Sequence, residues 1–83
     1  MNKVQITEEE LTRILELCEK ATPGPWKSYV EGRDHESGSN FIMTAGEDIE
    51  LTGATIEDQD FVASAKQDIP RLINEIRRLN DAL

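Results

Sequence analysis

Two prolines separated by one glycine, in Thr22-Pro23-Gly24-Pro25-Trp26, constrain this chain more than any other feature of its sequence. Proline fixes φ and has no backbone N–H, so neither a helix nor an inner strand can run through this segment. Because a residue before proline avoids helical geometry, the sequence predicts that a helix ends near Ala21 and that a tight turn follows. Trp26, the single tryptophan, comes directly after the turn. It either fills a small core or lines a pocket, and the residues leave both interpretations open.

The segment before the turn has the pattern of an amphipathic helix. Thr7 and Glu10 have the spacing of a capping box, which predicts where the helix starts. One apolar face follows at helical spacing: Leu11, Ile14, Leu15, Cys18 and Ala21. Cys18 is the single cysteine, so the chain forms no internal disulfide, and we expect its thiol to be buried on this face.

After the turn the pattern changes to the two-residue period of β-strands. We predict strands at 26–31, 40–44 and 49–52, connected as an antiparallel meander because the loops between them are short. The polar segment 32–39 contains two glycines and predicts a loop.

The last third of the chain returns to a helical pattern, which begins with a cap at Thr55 and Asp58. Its apolar stripe keeps one phase through Pro70: Phe61, Val62, Ala65, Ile69, Leu72, Ile73, Ile76, Leu79 and Leu83. Proline is accepted in the first turn of a helix, so we favour a short helix ending near Gln67 and a second helix capped by Asp68 over one kinked helix. The sequence thus predicts a single α+β domain over residues 1–83, in the order α-β-β-β-α-α, with helices packed on a three-stranded antiparallel sheet.

The net charge of −8 is concentrated in one stretch of the chain. Residues 47–60 contain no base and six acids: Glu47, Asp48, Glu50, Glu57, Asp58 and Asp60. Such a surface repels nucleic acids and anionic membranes. The stretch is either a solvated face, a surface for a basic partner protein, or a partial mimic of the charge of DNA.

No group of residues has the spacing of a catalytic or metal site. His35, the single histidine, lies between Asp34 and Glu36, and adjacent side chains in an extended loop point apart rather than toward one metal. Residues 57–68 lack the glycine and glutamate of a calcium loop, and the sequence contains neither a Walker A motif nor G-x-S-x-G. We therefore predict a binding protein without catalytic activity, metal or cofactor.

The length and the apolar pattern also bear on location and assembly. No apolar run approaches the roughly 20 residues of a membrane span, and Met1–Glu10 lacks the pattern of a signal peptide, so we expect a cytoplasmic protein. A core built from 83 residues is thin and has no disulfide to support it, so we also expect a homo-oligomer.

The hexapeptide Ala21-Thr22-Pro23-Gly24-Pro25-Trp26, directly after an amphipathic helix, resembles the ATPGPW signature of a group of small phage and prophage proteins. A second block of that group reads Asp-x-x-Phe-Ile-Ala-x-Ala, then Asp-Val/Ile-Pro and a leucine-rich helix. Residues 58–65 and 68–72 are similar to it, and the two blocks with their helices cover about half of the chain. The resemblance implies a phage-encoded or prophage-encoded cytosolic accessory protein.

The two blocks form a ligand site if the sheet brings Trp26 close to the start of the helix after Thr55. Trp26 offers a stacking surface, and a helix N-terminus offers N–H groups to an anion. The candidate ligand-binding residues are Thr22, Gly24, Trp26, Phe61, Ser64 and Arg71. We expect a counter-defence protein that sequesters a small nucleotide-derived immune signal. The alternative is an acidic inhibitor, or partial DNA mimic, that acts on a host protein through the acids of residues 47–60.

Overall fold

The computed structural model of the chain describes residues 5–82. Two helices and two strands follow one another in the order α1 (Glu8–Lys20), β1 (Lys27–Tyr29), β2 (Phe41–Met43) and α2 (Ile56–Ala82). The predicted α+β class is therefore confirmed, while the number of strands and of helical segments differs from the prediction.

Helix α1 begins and ends where its sequence predicts. The Glu10 N–H donates to Thr7 Oγ1 at 3.1 Å, and the Thr7 N–H donates to Glu10 Oε1 at 2.8 Å, which completes the capping box. The hydrogen bond from the Thr7 backbone also lowers the pKa of the Glu10 carboxyl. The helix ends at Lys20, and Ala21 is already extended, as the nearby Pro23 requires. Cys18 is half-buried rather than fully buried.

The sheet has two strands in the described part of the chain, so the predicted three-stranded meander is wrong. Strands β1 and β2 pair antiparallel, with Ser28 opposite Ile42. The third predicted strand is reduced to a single bridge, in which Ile42 and Ile49 exchange backbone hydrogen bonds of 2.8 and 2.9 Å. The ladder stops there because the Ala54 N–H bonds back to the Leu51 carbonyl and Gly53 adopts a φ of 83°, which turns the chain toward α2.

Strand β1 is also shorter than the predicted span 26–31. After Tyr29 the Val30 carbonyl accepts the N–H groups of Arg33 and Asp34 at 3.0 and 2.8 Å, which closes a tight turn. The turn removes the residues after Tyr29 from the strand.

Helix α2 is one continuous helix that contains Pro70, so the predicted division into two helices is wrong. Proline removes one helical hydrogen bond, but the helix is held against α1 on both sides of it. Lys66 Nζ donates to the Cys18 carbonyl before the proline, and Arg77 Nη2 lies 2.6 Å from Glu8 Oε2 after it. Contacts with α1 on both sides keep the two halves of α2 in line.

The core lies where α2 contacts both α1 and the sheet. Its buried apolar residues are Leu11, Val30, Ile42, Ala63 and Ile73. Gln59 is buried among them, and its Nε2 lies 2.8 Å from Ser28 Oγ, 3.1 Å from the Tyr29 carbonyl and 3.2 Å from the Phe41 carbonyl. One side-chain amide therefore joins α2 to both strands.

Between residues 5 and 82, neither helix is both long enough and apolar enough to cross a membrane. The molecule is elongated, with extents of 53 × 22 × 20 Å, because α2 has 27 residues and α1 has 13.

Candidate functional site

The segment from Thr22 to Trp26, called here the Trp26 turn, is fixed at both of its ends. The indole Nε1–H of Trp26 donates to the Thr22 carbonyl at 2.8 Å, which closes the turn on itself. The backbone N–H of Trp26 donates to Gln67 Oε1 of α2 at 2.6 Å, and the Ala45 N–H donates to the Pro23 carbonyl at 3.0 Å. The peptide bond between Gly24 and Pro25 is cis.

Lys66 covers part of the Trp26 ring. Its Nζ lies 5.5 Å from the ring centroid, within the range of a cation–π contact, and also donates to the Cys18 carbonyl. Trp26 itself is half-buried. Trp26 thus anchors the turn on α2 while keeping part of its surface accessible, and Lys66 links the same place to α1.

Three of the predicted ligand residues lie together in this turn, and three lie along α2. Thr22, Gly24 and Trp26 form the turn itself. Phe61, Ser64 and Arg71 are exposed, with Phe61 at 74% and the Arg71 side chain at 82% exposure. Ten residues separate Phe61 from Arg71, which is about 15 Å along a helix axis.

Lys66 and Gln67 contact Trp26, and sequence reasoning missed both. They lie about 40 residues from the turn in the chain, and no local motif links a Lys-Gln pair in a helix to a tryptophan. The apolar stripe before Pro70 predicts a helix, but it does not predict which element the polar residues of that helix contact.

The N-terminus of α2 is capped by the chain itself. The Asp58 N–H donates to Thr55 Oγ1 at 3.0 Å, and the Thr55 N–H donates to Asp58 Oδ2 at 3.1 Å. The predicted cap is confirmed, and the Asp58 carboxylate adds a negative charge next to it. An anion approaching this helix end therefore meets a hydroxyl and a carboxylate already in place.

Asp58 and Asp60 are the two acids of residues 47–60 whose carboxylates are engaged within the chain. Arg33 Nη1 and Nη2 donate to Asp60 Oδ2 and Oδ1 at 2.9 and 3.1 Å, a two-pronged contact that joins the loop after β1 to α2. Hydrogen bonds from Arg33 lower the pKa of Asp60 to about 2 and also lower the pKa of Asp34, while they raise the pKa of Arg33.

The four remaining acids are exposed, and within residues 5–82 none of them forms an ion pair: Glu47, Asp48, Glu50 and Glu57. They are called here the free acids. The bridge at Ile49 fixes the backbone between Asp48 and Glu50. The sequence therefore counts one acid too many as unpaired, because the contact of Asp60 with Arg33 spans 27 residues, whereas the cap at Asp58 is the predicted one.

The loop that carries Glu47 and Asp48 is tied to the Trp26 turn. The buried Thr44 accepts the Gly46 N–H at 2.9 Å with its Oγ1 and donates through it to the Glu47 carbonyl at 3.0 Å. A Cβ on Gly46 would lie 3.0 Å from the Thr22 methyl, so only glycine allows this approach without a shift. Loop and turn therefore form one polar, hydrogen-bonded surface.

His35 lies in an aromatic cluster. Its ring centroid is 5.1 Å from that of Phe41 and 6.1 Å from that of Tyr29, and its Nδ1 lies 2.6 Å from Ser37 Oγ. A hydrolytic Ser-His pair needs an acid on the second ring nitrogen, whereas His35 Nε2 is buried without a hydrogen-bond partner. Among the described residues no cluster of His, Cys, Asp and Glu side chains has the arrangement of a metal site.

The surface of α2 that faces away from α1 is called here the outer face. It exposes three large apolar side chains, Phe61 at 74%, Leu72 at 61% and Leu79 at 47%. An open groove runs beside Leu72 and is lined by Asp68, Arg71, Asn74, Glu75 and Arg78.

Comparison of the chain with protein-family models, with curated proteins and with solved structures finds no match. The resemblance to small phage proteins therefore stays a prediction that depends on the two sequence blocks alone.

Proposed function

We propose that this protein is a cytoplasmic binding protein without catalytic activity that captures a partner protein with a basic surface through the free acids. The proposal rests on the carboxylates of residues 47–60 that no cation within the described part of the chain neutralises. Five carboxylates stay exposed without an ion pair in the described part of the chain, the four free acids and the capping Asp58, in a stretch without a single base. A complementary positive surface gains Coulomb energy and a faster encounter there.

The backbone around the free acids supports this proposal because much of it is already ordered. Thr44 holds the loop before Glu47, and the bridge at Ile49 holds the backbone between Asp48 and Glu50. A surface that is ordered before binding loses less conformational entropy when the partner docks. Neither a DNA duplex nor an anionic membrane would tolerate the same charge.

A charge-reversal pair of variants tests the proposal. The first variant is Glu47→Lys/Asp48→Lys/Glu50→Lys, and the matched control is Glu16→Lys/Glu19→Lys/Glu36→Lys, which changes exposed acids elsewhere by the same total charge. Each protein is immobilised and incubated with a bacterial lysate, and the proteins that it retains are identified by mass spectrometry. We expect wild type and control to retain a common basic partner that the first variant loses. Equal retention by the two variants, or none by wild type, contradicts the proposal.

A nucleotide-derived ligand is the second candidate, and the contact between Lys66 and Trp26 favours it. A cation beside a half-buried aromatic ring is an arrangement that suits a base stacked on the ring and a phosphate near the ammonium group. In this reading Thr22, Gly24 and Trp26 hold one end of the ligand, and Phe61, Ser64 and Arg71 are the further residues to test. A phage-type protein with such a site would sequester an immune signal. The free acids and the filled cap of α2 make this candidate the weaker one.

The single tryptophan gives a direct test of the second candidate. Cyclic dinucleotides, cyclic trinucleotides and ADP-ribose derivatives are titrated into the protein while Trp26 fluorescence and heat are recorded. We expect saturable quenching for one class, and at least a tenfold weaker response in Lys66→Met, because the variant keeps much of the side chain but removes the charge. The control is Arg13→Met on the exposed side of α1. A flat response across the panel contradicts nucleotide binding.

A further inference from the structure

Helix α2 carries more apolar side chains than the rest of the chain buries. Helix α1 contacts one side of α2, through Lys66 at one end and Arg77 at the other. Phe61, Leu72 and Leu79 lie on the outer face and remain 74%, 61% and 47% exposed. They span 18 residues, or about 27 Å along the helix. A row of exposed apolar side chains of this kind is typical of an interaction surface.

The spacing of apolar residues in α2 is that of a helix with a helical partner. Apolar residues recur at alternating intervals of three and four: Val62, Ala65, Ile69, Leu72, Ile76 and Leu79. This 3.5-residue period is the pattern of helix pairs that pack along their whole length. Within one chain α1 uses part of the seam, since Ile69 and Ile76 are half-buried while Leu72 and Leu79 are exposed. The seam is therefore only partly filled.

The charges beside the strip decide which partner fits it. Asp68, Arg71, Glu75 and Arg78 follow one another on one edge of the outer face, so the edge is neutral although the whole chain carries −8. Each acid already lies near the arginine one turn later, at 3.9 Å for Asp68 and 2.6 Å for Glu75. Two copies of an acidic chain repel one another through most of their surface, and this neutral apolar strip allows close approach.

The order of those charges is self-complementary when one helix is reversed. Read along α2, the edge is negative, positive, negative, positive, and read backwards it has the opposite sign at each step. In an antiparallel pair, Arg71 therefore faces Glu75 of the second copy, and Asp68 faces its Arg78. The same register is centred on residue 73, so the two copies of Leu72 lie next to each other, about 3 Å apart along the helix axis, and Leu79 lies between Ala65 and Asp68 of the second copy. A parallel pair brings no such charge contacts together.

We propose that the outer face of α2 forms an antiparallel, two-fold homodimer centred near Leu72. The partner is a second copy of this chain, and the contact is isologous because both copies use the same strip. The strip presents only three large apolar side chains on each copy, so we expect a weak dimer with a dissociation constant on the order of micromolar. This assembly is independent of the free acids, which lie before and at the start of α2.

Sedimentation equilibrium on wild type and on two matched variants tests whether the dimer exists. At protein concentrations up to about 500 µM we expect wild type to approach twice the 9.4 kDa of the monomer. Leu72→Asp weakens association by about 100-fold or more, because both copies carry the charge into the contact. Leu17→Asp, which alters an equally exposed leucine of α1 at 68% exposure, leaves the dimer intact. A monomeric wild type, or equal loss in both variants, overturns the proposal; circular dichroism confirms that each variant is folded.

Charge exchange and cross-linking test the direction of the pair. Arg71→Glu places two acids opposite each other and weakens the dimer about tenfold at low salt, whereas Arg71→Glu/Glu75→Arg restores it. In a Cys18→Ala background, Leu72→Cys forms a disulfide-linked dimer on mild oxidation, because the two copies of residue 72 lie near the axis. Leu79→Cys does not, because the two copies of residue 79 lie about 18 Å apart along the helices. Rapid cross-linking of Leu79→Cys, or no rescue by the double exchange, overturns the antiparallel arrangement.

Discussion

The helical pair α1–α2 and the sheet-loop part between residues 22 and 60 are held by different kinds of contact. The helices start from local caps and join through apolar residues such as Leu11 and Ile73. The sheet half adds Val30 and Ile42 to the apolar core, but it has only three paired residues on each strand, so its position also depends on polar side chains that reach across the chain. Gln59 and Arg33 supply such contacts, while Thr44 holds the loop directly after β2. A small domain can thus supplement the apolar packing of its smaller sheet half with directed hydrogen bonds.

Truncation of Leu11 should produce the largest loss of stability. Its side chain is 1% exposed between the helices, and Leu11→Ala removes buried apolar contacts and leaves a cavity. We expect the free energy of unfolding in urea to fall by about 3 kcal/mol. Leu17→Ala, on an exposed leucine of the same helix, should change it by less than about 0.5 kcal/mol. Similar losses for the two variants would mean that α1 does not pack as the structure has it.

Loss of the Gln59 amide should give the next largest loss of stability. It tests whether polar contacts stabilise the sheet half. Gln59→Ala leaves the Tyr29 and Phe41 carbonyls without their side-chain donor, and we expect about 2 kcal/mol of destabilisation. The control is Asn74→Ala, on the exposed side of the same helix. If Gln59→Ala and Asn74→Ala unfold at the same urea concentration, the amide does not join α2 to the strands.

Removal of the α1 cap should have a smaller effect. Thr7→Ala removes the side-chain acceptor of the Glu10 N–H, and we expect about 1 kcal/mol of destabilisation in urea unfolding. Thr7→Ser keeps the hydroxyl oxygen and should restore stability nearly to that of wild type. A Thr7→Ser variant as unstable as Thr7→Ala would show that the methyl group, not the cap, is responsible.

The sequence predicts the helix caps well, but it predicts neither the sheet nor the continuity of α2, and the reason lies in how far apart the contacting residues are in the chain. The capping pairs Thr7–Glu10 and Thr55–Asp58 lie within one turn, so their spacing is visible in the sequence. The continuity of α2 through Pro70 depends on contacts with α1 that are 48 and 69 residues distant in the chain. A proline rule applied to α2 alone therefore gives the wrong answer.

The candidate site shows the same limit. The Trp26 turn is predictable because Pro23, Gly24 and Pro25 act locally. Its partners Lys66 and Gln67, and the contact that removes Asp60 from the free acids, come from α2 and from the loop at Arg33. Only the tertiary structure shows which acids remain unpaired.

Loss of the Arg33–Asp60 contact should have the smallest effect on the free energy of unfolding, and this effect should depend on pH. The pKa of Asp60 in the folded protein is about 2, below its ordinary value of 3.8, so the contact stabilises the fold above about pH 4 and is lost as the pH falls toward 2. We expect Asp60→Asn to be slightly less stable than wild type at pH 6, with a difference that disappears near pH 2. Urea unfolding across this range measures it.

Arg33→Gln provides the matched variant, because it removes the other partner of the same contact. Its difference from wild type should disappear over the same pH range. The double variant should lose no more stability than Arg33→Gln alone, which also removes the contact between Arg33 and Asp34. Additive losses would place the two residues in separate contacts.

Pro70 has a consequence for how the long helix opens. It provides no N–H, so one rung of the hydrogen-bond ladder is missing close to the middle of α2. The half before it is joined to the strands by Gln59 and to the Trp26 turn by Gln67, while the half after it is joined to α1 through Arg77. We expect the backbone amides after Pro70 to exchange with deuterium as a separate group, and faster than the amides before it. Fraying that starts at the C-terminal end of α2 should stop at the missing hydrogen bond.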